Sequence, residues 1–349
     1  MKYIFRLSGE DLKLAKTEVQ ALFETYGLGF KARRSKDLLF VESKAIEKQI
    51  SKLCKRSALL HWCSVVKDSS DFSWVRSPFM VRIKKGEKTE KKVASQIWRG
   101  LKKPSVDLEN PKTTVYVVGN QITKLIWEKK KNRFNGRQPK QKPVFHPTSL
   151  KPKWARLIIN LSRCKESCVL LDPFCGTGSV LIEAAIIGCK AIGSDLDKRM
   201  IKGAKKNLKH YGLHAKVQSK QSFAGSHHKV VLVKQANALE LEKHYKKNSI
   251  DAIATDPPYG RSSRIGAKNI RELYEGFLKS AHKVLKTKKS KAFLGPKNSK
   301  NFLGKNKYCV LLYPHYVKFA IPKKWKVVDR ASIYVHGGLT RKILVLRKV

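Results

Sequence analysis

Two short stretches of the chain carry residue types that could do chemistry together. The first is Asp172-Pro173-Phe174-Cys175-Gly176-Thr177-Gly178-Ser179, and the second is Thr255-Asp256-Pro257-Pro258-Tyr259-Gly260. In the first, two glycines let the backbone run close beneath a ligand, and a helix opening at Ser179 offers its electropositive end. The third glycine of a dinucleotide fingerprint and the lysine of a phosphate-binding loop are both missing. In the second, two prolines stiffen the loop and leave the Asp256 carboxylate and the Pro257 carbonyl as exposed acceptors. Together they can take the two hydrogens of an exocyclic amine and turn its lone pair toward an electrophile. Tyr259 can stack on a base, and Asp256 is the candidate proton acceptor once the nitrogen becomes cationic.

Asp172 ahead of the glycines would repel a diphosphate and pair with an α-ammonium group. A cofactor with an amino-acid end and a nucleoside end meets that demand, which points to S-adenosylmethionine. Asp195 follows Asp172 by 23 residues, at the tip of the next strand, where an acidic residue holds ribose hydroxyls. A plain helix-start acid is the other reading of Asp195, a role Asp197 fills better. Asn237, after the third strand, can hydrogen-bond adenine or serve as a loop-turn residue. Methylation of a pyrimidine ring carbon would need a cysteine beside proline or threonine, and the chain has neither pair. Cys175 therefore reads as a small packing residue of the cofactor loop and not as a nucleophile.

The elements that must hold these loops alternate between strand and helix. From Lys153 onward the spacing predicts helix Trp154–Ser162, strand Val169–Leu171, helix Ser179–Ile187 closed by Gly188, strand Ala191–Ser194, and a helix capped by Asp197. Strands Val230–Val233 and Ile250–Ala254, helix Leu273–Leu285 and strand Ala292–Leu294 follow. Strands Lys326–Val335 and Arg341–Leu346 join through His336-Gly337-Gly338. That alternation predicts an α/β domain with a parallel sheet and an antiparallel closing hairpin. Ahead of it lie two α+β units. One has strand Tyr3–Leu7, a helix capped by Ser8 with Asp11 as reciprocal partner, strand Leu38–Val41, helix Ala45–Leu53 and strand Leu59–Cys63. The other has strand Phe79–Lys84, helix Thr89–Leu101, and strands Thr114–Val118 and Ile122–Trp127 about a Gly119-Asn120 turn. The stretch Lys216–Lys229 is expected to be a surface loop.

Composition narrows the partner. Of 349 residues, 75 are Lys or Arg and 26 are Asp or Glu, a net charge of +49 that favours a polyanion. Residues 129–156 hold 10 basic and no acidic side chains, with Phe134, Phe145, His146 and Trp154 among them. Cations interleaved with aromatics suit phosphates and unstacked bases, although an interdomain linker has the same look. No apolar run reaches the ~18–20 residues of a membrane span, and charge returns too early after Met1 for a signal peptide. The seven cysteines are odd in number and include no C-x-x-C, so no metal is expected and reduced thiols in the cytoplasm are.

The loop Asp172–Gly178 paired with Asp256–Gly260 resembles the Rossmann-like amino-methyltransferases. The longer string from Asp256 to Ser263, with Phe145-His146-Pro147 and the helix Trp154–Leu161 upstream, resembles the THUMP-containing tRNA guanine-N2 methyltransferases. Among these the branch acting on guanosine 10 is the nearest likeness. Val106–Pro111 ahead of the Thr114–Val118 strand, and the Val335–Arg347 hairpin, fit the same resemblance. It implies a ferredoxin-like domain over residues 1–65, a THUMP-like RNA-binding domain over 66–128, a basic linker over 129–152 and a methyltransferase domain over 153–349. It also implies contacts to S-adenosylmethionine from Thr148, Asp172, Cys175, Gly176, Gly178, Asp195, Leu196, Asn237 and Ala238, and a catalytic set of Asp256, Pro257 and Tyr259. Asn237 departs from the aspartate usual there. tRNA is the implied partner, with a small zinc-binding activator subunit used by some relatives. The competing reading is an adenine-N6 or cytosine-N4 methyltransferase of DNA or another RNA. A non-catalytic RNA-binding protein is disfavoured by the intact Asp172, Asp195 and Asp256.

Overall fold

Apolar alternation in the first strands and a 3.6-residue period in the intervening helices give the chain two kinds of layered unit. The structure is a computed structural model that describes residues 1–85, 89–216, 230–260, 266–287, 307–336 and 338–349. The expected strand Ala292–Leu294, residues 217–229 of the expected surface loop, Arg261–Ser263 and Gly337 lie outside the described residues. Residues 1–19 with 28–133 form one compact unit, and residues 20–27 with 134–349 form the other.

The first unit opens with β1 (Lys2–Leu7), α1 (Leu12–Tyr26, of which residues 12–19 belong to this unit), β2 (Phe30–Ser35), β3 (Leu38–Ser43), α2 (Glu47–Arg56) and β4 (Leu60–Val66). The strands are antiparallel in the order β2-β3-β1-β4, the ferredoxin-like arrangement. Asp11, rather than Ser8, caps α1: its Oδ1 accepts the Leu14 N–H at 2.8 Å. Then come β5 (Phe79–Lys85), α3 (Glu90–Arg99), β6 (Thr113–Val118) and β7 (Gln121–Glu128). β7 pairs with β4, so all seven strands make one sheet, β2-β3-β1-β4-β7-β6-β5, with no break near residue 65. Gly119, at φ +62°, makes the expected two-residue turn, which sets Val118 opposite Gln121.

The second unit runs α4 (Pro152–Leu161), β8 (Val169–Asp172), α5 (Ser179–Ile187), β9 (Lys190–Asp195), α6 (Lys198–His210), β10 (His214–Lys216), β11 (Val230–Gln235), the single turn α7 (Leu241–His244), β12 (Ala252–Thr255), α8 (Ile270–Val284), β13 (Tyr308–Pro314), β14 (Trp325–His336) and β15 (Leu339–Lys348). The sheet order is β10-β11-β9-β8-β12-β13-β15-β14. Pairing is parallel from β10 to β13, and β15 is antiparallel to both β13 and β14. This is the Rossmann-like methyltransferase order with the expected antiparallel closure.

The strand order reverses at β8: the chain winds outward through β9 and β11, then crosses back to lay β12 on the other side of β8. In open α/β sheets ligands bind beyond the carboxyl ends of the strands at such a switch. Both chemistry-bearing loops leave from there. α5 is buried almost all round, from Ser179 to Ala185, and Gly193 on β9 lets it come close. A Cβ at Gly193 would lie 2.4 Å from Leu181 Cδ1 and 3.1 Å from Cys175 Cβ.

Candidate functional site

Asp172 closes β8 and Thr255 closes β12, two hydrogen-bonded neighbours in the register Leu170–Ala252 and Leu171–Ile253. The two loops therefore face one another by construction. Thr255 Oγ1 donates to Asp172 Oδ1 at 2.6 Å, and the Phe174 N–H donates to the same oxygen at 3.2 Å. Among the described residues no hydrogen bond goes to Asp172 Oδ2. Burial pushes the Asp172 carboxyl up to about 7, and the Asp195 and Asp256 carboxylates push the same way.

A cleft of about 440 Å³ opens over these loops, within the range of about 300–1,000 Å³ usual for small-molecule sites. Of the residues singled out from sequence, Thr148, Asp172, Cys175, Gly176, Asp195, Leu196, Asn237, Ala238, Asp256, Pro257 and Tyr259 all line it. Gly178 does not. It sits at the N-cap of α5 with φ +91°, where a Cβ would meet the Ala204 Cβ at 3.5 Å, so it serves helix packing. Gly176, at φ +49°, has open space where a Cβ would point.

The individual groups are already partly engaged. Asp195 clamps the glycine loop: Oδ2 accepts the Gly176 N–H at 2.9 Å and Oδ1 accepts the Asp197 N–H at 3.0 Å. Burial raises its carboxyl. Asn237 Oδ1 accepts the Leu239 N–H at 3.0 Å, which is the loop-turn role; one lone pair on that oxygen is left for a ligand. Cys175 is buried, and burial pushes its thiol far up, which suits packing and excludes a ready thiolate. Thr148 Oγ1 lies 2.8 Å from His146 Nδ1 at the rim.

On the facing side, Tyr259 Oη donates to Asp256 Oδ1 at 2.5 Å. Burial raises the Asp256 carboxyl, while Arg341 and the Tyr259 hydroxyl hold it down. Arg341, on β15, places Nη2 3.7 Å from Asp256 Oδ2 and Cζ 5.5 Å from the centre of the Tyr259 ring. Tyr316 lines the same wall, with Oη 3.4 Å from the Tyr259 carbonyl. Arg341 and Tyr316 were not among the residues singled out from sequence, and Thr255, inside the second stretch, was given no role there. Thr255 could have been found, since a hydroxyl ending a strand beside β8 must face Asp172. Arg341 and Tyr316 have no local signal, because β13 and β15 have to be placed in the sheet first.

The site's donor set is acidic: three buried or half-buried carboxylates, Asp172, Asp195 and Asp256, stand around one cleft. Such a set fits a ligand with cationic groups and ribose hydroxyls and rejects a diphosphate.

The basic stretch before the domain is not uniformly free to meet phosphate. Arg133 donates to the carbonyls of Ser57 and Lys55. Arg137 and Arg156 pair with the buried Glu183 at 2.7 and 2.6 Å. Lys142 Nζ donates to Ser179 Oγ at 2.6 Å, and burial lowers its ammonium to about 8. Lys130, Lys131 and Lys140 are exposed.

The chain is similar in sequence to known methyltransferases. A family model described as RMKL-like, methyltransferase domain, matches residues 139–308. A second, described as DNA methylase, matches residues 28–206. A tRNA (guanine(10)-N2)-dimethyltransferase from Methanothermobacter thermautotrophicus is 29% identical over 372 residues, covering 100% of both chains. A protein named "Probable tRNA (guanine(10)-N2)-dimethyltransferase" from Methanothermococcus thermolithotrophicus is 32% identical over 199 residues, 56% of this chain and 98% of its own. The chain belongs to the tRNA (guanine-N2)-methyltransferase family. The Thermus thermophilus TrmN crystal structure aligns over 100% of both chains at 17% identity and a TM-score of 0.47. Membership matches the resemblance carried by the two loops. No helix among the described residues is long and apolar enough to cross a membrane.

Proposed function

We propose that this family member transfers methyl groups from S-adenosylmethionine to the N2 amine of a guanosine in tRNA, at position 10. The observation that carries the reading is the pairing of the Asp172 and Asp256 loops across one cleft, from neighbouring strands and linked by the Thr255–Asp172 hydrogen bond. When bound, the donor supplies a methyl group on a sulfonium. Asp172 Oδ2 holds its ammonium group, Asp195 its ribose hydroxyls and Asn237 its adenine. Gly176 gives it room, Thr148 closes the rim, and Cys175, Leu196 and Ala238 line the floor. Gly178 acts at one remove, by seating α5.

The guanine amine enters between Asp256 Oδ2 and the Pro257 carbonyl. These acceptors fix both hydrogens and aim the lone pair along the transfer axis, so orientation supplies most of the rate. Asp256 then takes the proton from the methylated, cationic nitrogen. One face of Tyr259 lies toward Arg341, so a base would stack on the other. The N-terminal unit acts as the THUMP-containing grip on tRNA, helped by the exposed lysines of the basic stretch.

A second reading is methylation of adenine or cytosine amines in DNA, favoured by the match to a DNA methylase family over residues 28–206. That match takes in the donor loop and ends before Asp256, so it bears on the donor half and not on the base. Incubating bulk unmodified tRNA and unmethylated DNA with labelled donor, then digesting to nucleosides, separates the two. Label in N2-methylguanosine that maps to tRNA position 10 supports the first reading. Label in DNA amines with none in tRNA overturns it.

A further inference from the structure

Asp256 has one oxygen that is satisfied and one that is not. Oδ1 accepts the Tyr259 hydroxyl, while Oδ2 faces Arg341 Nη2 across 3.7 Å, beyond hydrogen-bond reach. Arg341 is 8% exposed, and its Nε–H is a buried donor with no hydrogen-bond partner among the described residues. Buried donors in folded proteins almost always have acceptors, and one left open in a binding cleft marks a place where a ligand supplies the acceptor. Both residues line the cleft, which thus brings together an acceptor oxygen without a hydrogen bond and a buried N–H donor without one.

Such a pair complements an H–N–C=N edge. The amine hydrogen goes to the oxygen and the adjacent ring nitrogen takes the N–H. Guanine presents that edge at N2–H and N3, and the second amine hydrogen, on the N1 side, is left for the Pro257 carbonyl. We infer that Arg341 seats the acceptor base, donating Nε–H to guanine N3 while its guanidinium stands against the Asp256 carboxylate. The inference rests on the guanine-N2 reading above and names the group that holds the base; adenine (N6–H, N1) and cytosine (N4–H, N3) offer the same edge, so the choice among bases lies elsewhere.

The two parts of this role have separate signatures. A cationic donor on N3 draws electron density into the ring, so it does not make the amine a better nucleophile; it holds the base in place and acts on KM. The guanidinium charge favours the ionised form of Asp256, and its removal moves the acid limb of the kcat profile to higher pH.

The test uses the full chain and tRNA transcripts with guanosine or 3-deazaguanosine at the methylated position. For the wild type, the 3-deaza transcript should raise KM roughly 10–100-fold, the worth of one charge-assisted hydrogen bond, with kcat little changed. Arg341→Met should lose the same factor on guanosine, lose nothing more on the 3-deaza transcript, and shift the acid limb upward. Arg341→Lys keeps the charge without the Nε position, so it should restore the acid limb but not KM. Equal KM for both transcripts with the wild type, or losses from variant and base analogue that simply multiply, overturns the inference. The wild-type comparison decides even if Arg341→Met fails to fold, as judged by donor binding. A wild type that forms no N2-methylguanosine in either transcript overturns the functional reading itself.

Discussion

Replacing Thr255 by valine should move the pH at which the protein takes up its methyl donor. Thr255 is fully buried and gives its hydroxyl proton to Asp172 Oδ1 at 2.6 Å, while valine keeps nearly the same outline. A hydrogen bond to a charged group is worth about 1.5–3 kcal/mol, and one unit of pKa is about 1.36 kcal/mol. Losing it should lift the Asp172 carboxyl by about 1–2 units from its value of about 7. The donor's ammonium pairs with the ionised carboxylate, so affinity is full above the midpoint and falls about tenfold per unit below it. For the wild type that means roughly tenfold weaker binding at pH 6 than at pH 8. For Thr255→Val the fall starts one to two units higher, leaving affinity at pH 7 roughly 5–50-fold below wild type. Calorimetric titration with S-adenosylhomocysteine, which keeps the same amino-acid end, measures this without turnover. Run in two buffers of different ionisation enthalpy, it should also show binding releasing close to one proton below the midpoint. Affinity that stays flat from pH 6 to 8, or a valine variant with the wild-type midpoint, would refute the placing of the ammonium on Asp172.

Asp256→Ala should bind donor and tRNA nearly as well as wild type while kcat falls by about 10²–10⁴ or more, as measured by single-turnover methylation. Asp172→Asn should abolish donor binding yet stabilise the donor-free protein at pH 8 by up to about 4 kcal/mol, read as a higher melting temperature. The sign follows from the raised carboxyl: its ionised form costs folding energy above about pH 7, a cost that vanishes as pH falls toward its unfolded value, so the variant's advantage should fade with acid. Gly193→Ala should cost about 1–3 kcal/mol in a denaturant titration, since its Cβ would stand 2.4 Å from Leu181 Cδ1. Replacing Lys130, Lys131 and Lys140 together by glutamine should weaken tRNA binding and flatten its salt dependence by about 0.7–0.9 for every phosphate no longer neutralised. The same change at Arg137 or Lys142 should lower thermal stability and leave the salt slope alone, because both are tied to α5.

What could be read from the residues in advance was whatever a local pattern encodes. The glycine loop and the Asp-Pro-Pro loop each sit at the end of a buried strand, and parallel-sheet geometry brings such ends to one side, so the cleft was legible. β2 was not, because Phe30–Ser35 carries Lys31, Arg33 and Arg34 and pairs along one edge only, which hides the apolar signal. β13 is a nearly continuous apolar run without alternation. The fusion of the first seven strands into one sheet depends on β4 meeting β7 about sixty residues later, which no local window contains. The basic stretch shows a different limit: a charge count treats Lys140 and Lys142 alike, although one is exposed and the other lies under the glycine loop's helix.

β15 lies between β13 and β14 although it follows both in the chain. Until β15 inserts, the outer border of β13 has no hydrogen-bonding partner and β14 has nowhere to dock. The inner plank comes after the outer one in the chain, so the sheet carries a sticky, unpaired seam until that last strand is in place. Because Arg341 rides on the inserted plank, the pocket also acquires its last wall only when the seam closes.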